Sequence, residues 1–197
     1  MKSAEIGNRM EKVETKIPGC FLIKPNVFSD HRGKFVKVMQ ESAFERFDIY
    51  SHFREEFYTT SSMGVLRGMH FQLPPRGQHK IVYCVQGQAL DAVLDLRKGS
   101  PTYGMFELFE LSEFNSYSLY IPKGLAHGFY AQSEKVTLVY KVTEEYFPHG
   151  DAGIHWNSAG IPWPNLNPIV STRDVNLQNF KEFISPFEYS LEPPRDY

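Results

Sequence analysis

A mainly β chain, folded as a barrel or double-sheet jelly roll with a few short helices, is what this sequence predicts. Three observations carry the expectation. Short runs of β-branched and aromatic residues follow one another, each closed by Gly, Pro, Asn or Asp turn chemistry. Helical spacing is convincing at only one place before the C-terminal region, Glu41 to Phe47. Two histidines, His70 and His127, sit in apolar, strand-like runs, which suggests a polar pocket inside the barrel.

Taken in order, residues 1–16 read as a flexible lead-in. Cys20-Phe21-Leu22-Ile23 is a short apolar strand, and Phe28 to Gly33 has turn chemistry. Lys34 to Met39 alternates as a strand, and Glu41 to Phe47 predicts a short helix with Phe44 and Phe47 on one side. Strands are expected over Phe53–Thr60 and Val65–Phe71, then a loop at Leu73–Gly77. Lys80–Val85 and Ala89–Leu96 flank Gln86-Gly87-Gln88 and predict a hairpin. Met105–Leu111, Ser118–Ile121, Gly128–Gln132 and Val136–Val142 complete the series. Phe147 to Pro168 is rich in Pro, Gly and Asn, with Trp156 and Trp163 as anchors on the barrel. Val175 to Phe183 predicts a terminal helix, and the Pro-bearing residues after it a loosely held tail, so that 175–197 closes a single domain spanning 1–197.

At 197 residues the chain can bury a full core without staples. Its net charge of −2 and lack of any basic run point away from nucleic acid. Cys20 and Cys84 give no disulfide framework and fit a reducing cytoplasm as small buried hydrophobes. No apolar run approaches the ~18 residues that span a bilayer, and residues 1–14 lack a signal-peptide core. The expectation is a soluble cytoplasmic protein with no membrane partner. Aromatics at 15% suit a stacking site for a ring-bearing ligand, a β-rich core or a subunit interface.

In Ala89 to Leu96, Asp91, Val93 and Asp95 share one face, which lines a polar lumen or is solvated. A metal in such a barrel wants three or four converging ligands, commonly His-x-His with a nearby Glu and a later His. Here Gln72 stands two residues after His70 and Arg76 where the Glu would be sought, so only His70 and His127 remain. No metal and no cofactor are expected. Metal-free acid–base chemistry needs a base near neutrality, an acid that returns a proton and a cation for developing negative charge. His70 fits the base and Tyr140 the acid, and Lys80 or Arg67 can face an enolate. Taken singly, each also reads as a core histidine, a wall tyrosine or a surface charge.

Several blocks in order then resemble one family. They are Val65-Leu66-Arg67-Gly68-Met69-His70-Phe71-Gln72, Gly99-Ser100-Pro101-Thr102-Tyr103-Gly104, Ile121-Pro122-Lys123-Gly124-Leu125-Ala126-His127-Gly128-Phe129, Tyr140-Lys141-Val142-Thr143 and Gly160-Ile161-Pro162-Trp163-Pro164. Together they resemble the dTDP-4-dehydrorhamnose 3,5-epimerase family over about Pro18 to Asp174. The resemblance implies a metal-free cupin-type jelly roll, a homodimer, and inversion of the carbons flanking a 4-keto group in a nucleotide-linked 6-deoxyhexose. It implies His70 as base paired with Asp174, Tyr140 as acid, and Lys80 and His127 beside the keto oxygen. Arg32, Arg67, Asp151 and Arg173 match positions that contact substrate or pyrophosphate, and Tyr146 joins the substrate-binding set. Two stretches depart from the family pattern. Lys37 stands where family members tend to carry Glu, and Glu55-Glu56-Phe57 replaces Gln-x-Asn, so Lys37, Glu55 and Phe57 bear on nucleotide and sugar recognition. The alternatives are an epimerase acting at one carbon or on another sugar nucleotide such as a CDP-linked one, a non-catalytic sugar-nucleotide-binding cupin, and a metal-dependent oxygenase.

Overall fold

The alternating runs fold into two facing antiparallel sheets in the computed structural model, which describes residues 10–190. In chain order the elements are β1 (Glu11–Glu14), β2 (Phe21–Lys24), β3 (Asn26–Asp30), β4 (Gly33–Lys37), α1 (Glu41–Arg46), β5 (Glu55–Ser62), β6 (Leu66–Gln72) and β7 (Lys80–Gln86). They continue with β8 (Gln88–Asp95), β9 (Phe106–Ser112), β10 (Ser118–Ile121), β11 (Leu125–Ala131), β12 (Lys135–Val142), β13 (Asp151–Gly153), α2 (Thr172–Val175) and a 3-10 turn, Phe180–Glu182. One sheet runs β1-β2-β10-β7-β12-β5 and the other β13-β6-β11-β8-β9, with β3–β4 a separate hairpin. This is the jelly-roll architecture expected. Among the described residues no helix is long and apolar enough to cross a membrane.

Strand alternation sorts the side chains into three apolar layers. Val82, Cys84, Val93, Leu119, Phe129 and Leu138 meet between the sheets. On the outside of the five-stranded sheet, Leu94 and Ala126 lie under Trp156, Trp163 and Phe187, so the two tryptophans anchor the C-terminal segment as expected. On the outside of the six-stranded sheet, Ile23, Ile81 and Tyr120 are covered by Ala43 and Phe44 of α1. A helix of six residues is unstable alone, and α1 has no side-chain cap at its N-terminus. What holds it is Phe44, fully buried, whose truncation to alanine would cost about 3–5 kcal/mol.

Several expectations need correction. The lead-in is structured from Glu11, where β1 pairs with β2; its alternating charges belong to an edge strand rather than to free chain. Residues 1–9 lie outside the described residues. Phe28 to Asp30 is strand, and the turn is confined to the residues before Gly33. The expected hairpin at Gln86-Gly87-Gln88 does not form: β7 lies in one sheet and β8 in the other. Gly87 makes that corner at φ +76°, where an added Cβ would sit 2.2 Å from the Lys135 carbonyl oxygen. Turn chemistry marks the corner but not whether the chain folds back or crosses over. The terminal helix is reduced to α2 and the 3-10 turn: Asn179 and Phe183, flanking that turn, are extended, and Phe180 and Phe183 pack on the tryptophan layer from its two ends. The tail is held as far as it is described: Lys98 N–H donates to the Phe187 carbonyl and Tyr189 N–H to that of Lys98, both at 2.9 Å. Residues 191–197 lie outside the described residues.

One local feature positions the site. β6 and β11 pair His70 with His127, and the register shifts between His127 and Phe129. The backbones approach so closely there that a Cβ on Gly68, at φ +138°, would lie 2.5 Å from the Gly128 Cα. Such a bulge re-aims the side chains beside it.

Candidate active site

A cavity of about 360 Å³ opens between the sheets and is lined by His70, Lys80, His127 and Tyr140, with Arg67, Glu55, Phe57, Tyr146, Asp151 and Arg173 also on its wall. His70 and His127 come from the five-stranded sheet, Lys80 and Tyr140 from the six-stranded one. The expected base and acid therefore project from facing walls. Among the described residues no three His, Cys, Asp or Glu side chains converge to hold a metal.

His70 reaches Asp174 behind it, Nε2 to Oδ1 at 2.7 Å. Asp174 is carried by α2, where its N–H donates to the Ser171 hydroxyl at the N-cap. Burial alone would raise the Asp174 carboxyl, but the His70 ring, the Gly68 N–H donating to Oδ2 and the Arg173 charge outweigh it, and the carboxyl lies below the usual carboxylate range. An ionised Asp174 accepts the Nε2–H of His70, which leaves the lone pair at Nδ1 free to take a proton from the cavity. The contact with Asp174 fixes the orientation of the His70 ring, the arrangement a general base needs.

Tyr140 is nearly fully buried, and burial raises its phenol, with the Asp91 charge adding to the effect against the Thr59 hydroxyl and Arg67. It holds its proton and can give it up only to a strong base such as an enolate carbon. Its ring is stacked on Phe57, centroids 4.9 Å apart and 10° between planes, and meets the edge of His127 at 5.9 Å. Lys80 Nζ lies 3.4 Å from the His70 carbonyl oxygen. Burial lowers the Lys80 ammonium to about 8, partly offset by Asp151 and Asp91, with Arg173 adding to the lowering. Lys80 is thus mainly a cation below about pH 8 and mainly neutral above it. If that cation stabilises an enolate, kcat/KM, which reports the free enzyme, falls about tenfold per pH unit above this value. A profile flat to pH 10 would exclude the role.

At the mouth, Arg173 Nη2 lies 2.7 Å from Asp151 Oδ1, Glu55 accepts the Tyr146 N–H at 2.7 Å, and Arg67 Nε donates to Ser61 at 3.0 Å. Gln72, in the slot weighed for a metal ligand, instead staples the neighbouring loops: its amide donates to the Arg76 and Glu145 carbonyls and accepts the Phe147 N–H. Arg32 and Lys37 are not in the cavity. Both are exposed on the β3–β4 hairpin, Arg32 paired with Asp30 at 3.0 Å, because the hairpin stands outside both sheets.

Asp91 turns inward and pairs with His127, Oδ2 to Nε2 at 2.8 Å. Asp95, on the same strand face, builds the wall instead, accepting from Arg97, Ser100 and Thr102. The sequence offered a signal for both, a carboxylate within an apolar strand, but not which of them faced the lumen. Thr59, beside Tyr140, carried no signal of its own.

The profile of the family described as dTDP-4-dehydrorhamnose 3,5-epimerase matches residues 14–182. A dTDP-4-dehydrorhamnose 3,5-epimerase from Shigella flexneri is 39% identical over 174 residues, covering 87% of this chain and 96% of the relative. Among solved structures, a dTDP-6-deoxy-D-glucose-3,5-epimerase from Legionella pneumophila in complex with dTDP-4-keto-L-rhamnose superposes with a TM-score of 0.88 at 31% identity, over 92% of this chain and all of that one. A 3'-monoepimerase from Streptomyces bikiniensis in complex with dTDP-quinovose is also similar, with a TM-score of 0.80 and 31% identity over 84% of this chain and 85% of its own.

Proposed function

Since the chain belongs to the dTDP-4-dehydrorhamnose 3,5-epimerase family, we propose that its cavity inverts the carbons flanking the 4-keto group of a dTDP-linked 6-deoxyhexose. It is a carbohydrate epimerase of nucleotide-sugar biosynthesis, an isomerase. The observation that supports this reading most is a base and an acid on facing walls of one cavity, with the base oriented by an ionised carboxylate.

A C–H beside a ketone is acidic only when the resulting enolate is stabilised. His70 Nδ1 takes the proton, the C–H electron pair becomes the C–C double bond, and the carbonyl π pair moves to oxygen. Lys80 and His127 face that oxygen. The C–C π pair then takes the Tyr140 proton on the opposite face, the oxygen pair re-forms the carbonyl, and the configuration at that carbon is inverted. His70 now carries the extra proton and Tyr140 lacks one; exchange with water resets both, so solvent hydrogen enters at each inverted carbon. Asp174 contributes by holding the imidazolium that forms.

Arg67, Tyr146, Asp151 and Arg173 at the mouth suit the sugar and its diphosphate, with Glu55 and Phe57 beside them. Arg32 and Lys37 are exposed, outside the cavity that His70 and Tyr140 line, and their hairpin exposes Phe28 and Phe35, whose ring centroids lie 6.1 Å apart. Both facts favour a homodimer in which this hairpin is covered by a second copy. Sedimentation should give a dimer for the native protein and a shift to monomer for Phe28→Ser/Phe35→Ser; a native monomer removes this reading. Buried free thiols at Cys20 and Cys84 suit the cytoplasm.

Incubation with dTDP- and CDP-linked 4-keto-6-deoxyglucose in deuterium oxide, read by NMR, tests the function. Label at C3 and C5 with inverted product from the dTDP sugar is expected. Label at one carbon would assign a monoepimerase, turnover of the CDP sugar alone would change the nucleotide, and product without label would remove the enolate route.

A further inference from the structure

Two imidazole–carboxylate couples face this one cavity, and they are not equivalent. In both, Nε2 is turned to the acid, at 2.7 Å for His70–Asp174 and 2.8 Å for His127–Asp91, so Nδ1 is the nitrogen left to the cavity. The difference lies in the company of each acid. The second oxygen of Asp174 accepts the Gly68 N–H, and Arg173 lies close by. The second oxygen of Asp91, Oδ1, is buried and has no hydrogen-bond partner among the described residues. Asp91 is also entirely shielded from solvent. The groups facing it are His127 from β11, Lys80 from β7, the phenol of Tyr140 from β12 and the thiols of Cys20 and Cys84. Lys80, the amine of that set, is itself pushed toward the neutral form by burial, and Asp91 is raised by burial against His127 and Lys80.

Counting protons in the His127–Asp91 couple narrows its possible roles. With one proton on Nε2, donated to an ionised Asp91, Nδ1 presents a lone pair to the sugar's keto oxygen, and two acceptors face each other. With one proton on Nδ1, a lone pair on Nε2 would confront a carboxylate oxygen at 2.8 Å with no proton between, which that distance excludes. With two protons, whether held as imidazolium and carboxylate or as neutral ring and neutral acid, Nδ1 is a donor and the short contact contains a proton. Within the couple the two-proton form is also net neutral, whereas one proton leaves a negative charge on a buried acid whose second oxygen has no hydrogen-bond partner among the described residues, offset by a Lys80 that burial itself pushes toward the neutral form.

We propose that the two couples work with different proton counts, one in His70–Asp174 and two in His127–Asp91, and that Asp91 is the positioning residue that keeps His127 a hydrogen-bond donor to the keto oxygen. This rests on the epimerase reading above. It gives two like pairs opposite tasks, one accepting a proton from carbon and the other supporting oxygen, through the surroundings of their carboxylates.

The test is 15N NMR of the full-length, histidine-labelled protein with dTDP bound at pH 7, with His127 assigned by its absence from His127→Gln. A protonated Nδ1 on His127 is expected. An unprotonated Nδ1 would overturn the proposal and make the couple a second base. In kinetics, Asp91→Leu should lower kcat about 100-fold with KM within about threefold, the loss expected for one oxyanion donor. Asp91→Asn, whose amide can donate to Nε2 and leave Nδ1–H in place, should stay within about tenfold of the native enzyme. Native kcat in a folded Asp91→Leu, or Asp91→Asn as slow as Asp91→Leu, would also overturn it. Should Asp91→Leu fail to fold, the asparagine variant and the spectrum decide. A native enzyme that turns over no 4-keto sugar nucleotide would sink the epimerase reading instead, and the Nδ1 signal would still be read.

Discussion

His70→Ala should abolish both inversion and solvent exchange at the carbons beside the ketone, lowering kcat by about 10³-fold, within the range for a positioned general base. The other titratable groups beside His70 are poised to keep their protons, His127 on the two-proton reading of its couple with Asp91. Tyr140 is held protonated by burial and Lys80 carries its charge below pH 8. The substitution removes a side chain already partly open to the cavity, so the core is left alone and dTDP binding should persist. Stopped label wash-in with retained nucleotide affinity is the expected pair of results. Wash-in at the native rate would mean another base acts.

Tyr140→Phe should separate the two halves of the reaction. The base is untouched, so deuterium should still enter the starting sugar, while inverted product falls by about 10²–10³-fold because the opposite face has lost its proton donor. The replacement keeps the ring, and with it the stack on Phe57 and the edge contact with His127, so a fall in activity is not attributable to lost packing. NMR of the recovered substrate measures label and configuration in one spectrum. Inversion at the native rate in this variant would remove Tyr140 from the mechanism. The two variants together ask whether the cavity has one wall that accepts and another that donates.

Much of this was legible in the residues. Alternation between inward Val82 and Cys84 and outward Ile81 and Tyr83 gives a strand covered on both sides, and β10 coincides with the expected Ser118–Ile121. His70, Lys80, His127 and Tyr140, the sequence's candidates for proton chemistry, share one cavity. What periodicity could not convey was which strand meets which. Gly87 reads the same whether it closes a hairpin or carries the chain to the facing sheet, and β1 resembles solvated chain because an edge strand is itself half solvated. Asp91 and Asp95 share a face in sequence, yet one meets a histidine across the strand pair and the other is consumed by the turn that follows it. Phe180 and Phe183 have spacing that suits a helix, but they reach the same tryptophan layer from the two ends of a single 3-10 turn bounded by extended residues.

The corner at Gly87 also limits how this enzyme can adapt. Lys80 and Asp91 lie on opposite walls but on consecutive strands joined through that one residue, so the gap between the walls is tied to covalent geometry there. Spreading the sheets near this corner would strain it, because an added Cβ there already meets the Lys135 carbonyl oxygen. Trimming wall side chains such as Phe57 or Thr59 makes room without touching that corner, which ties substrate scope to individual substitutions on the cavity wall.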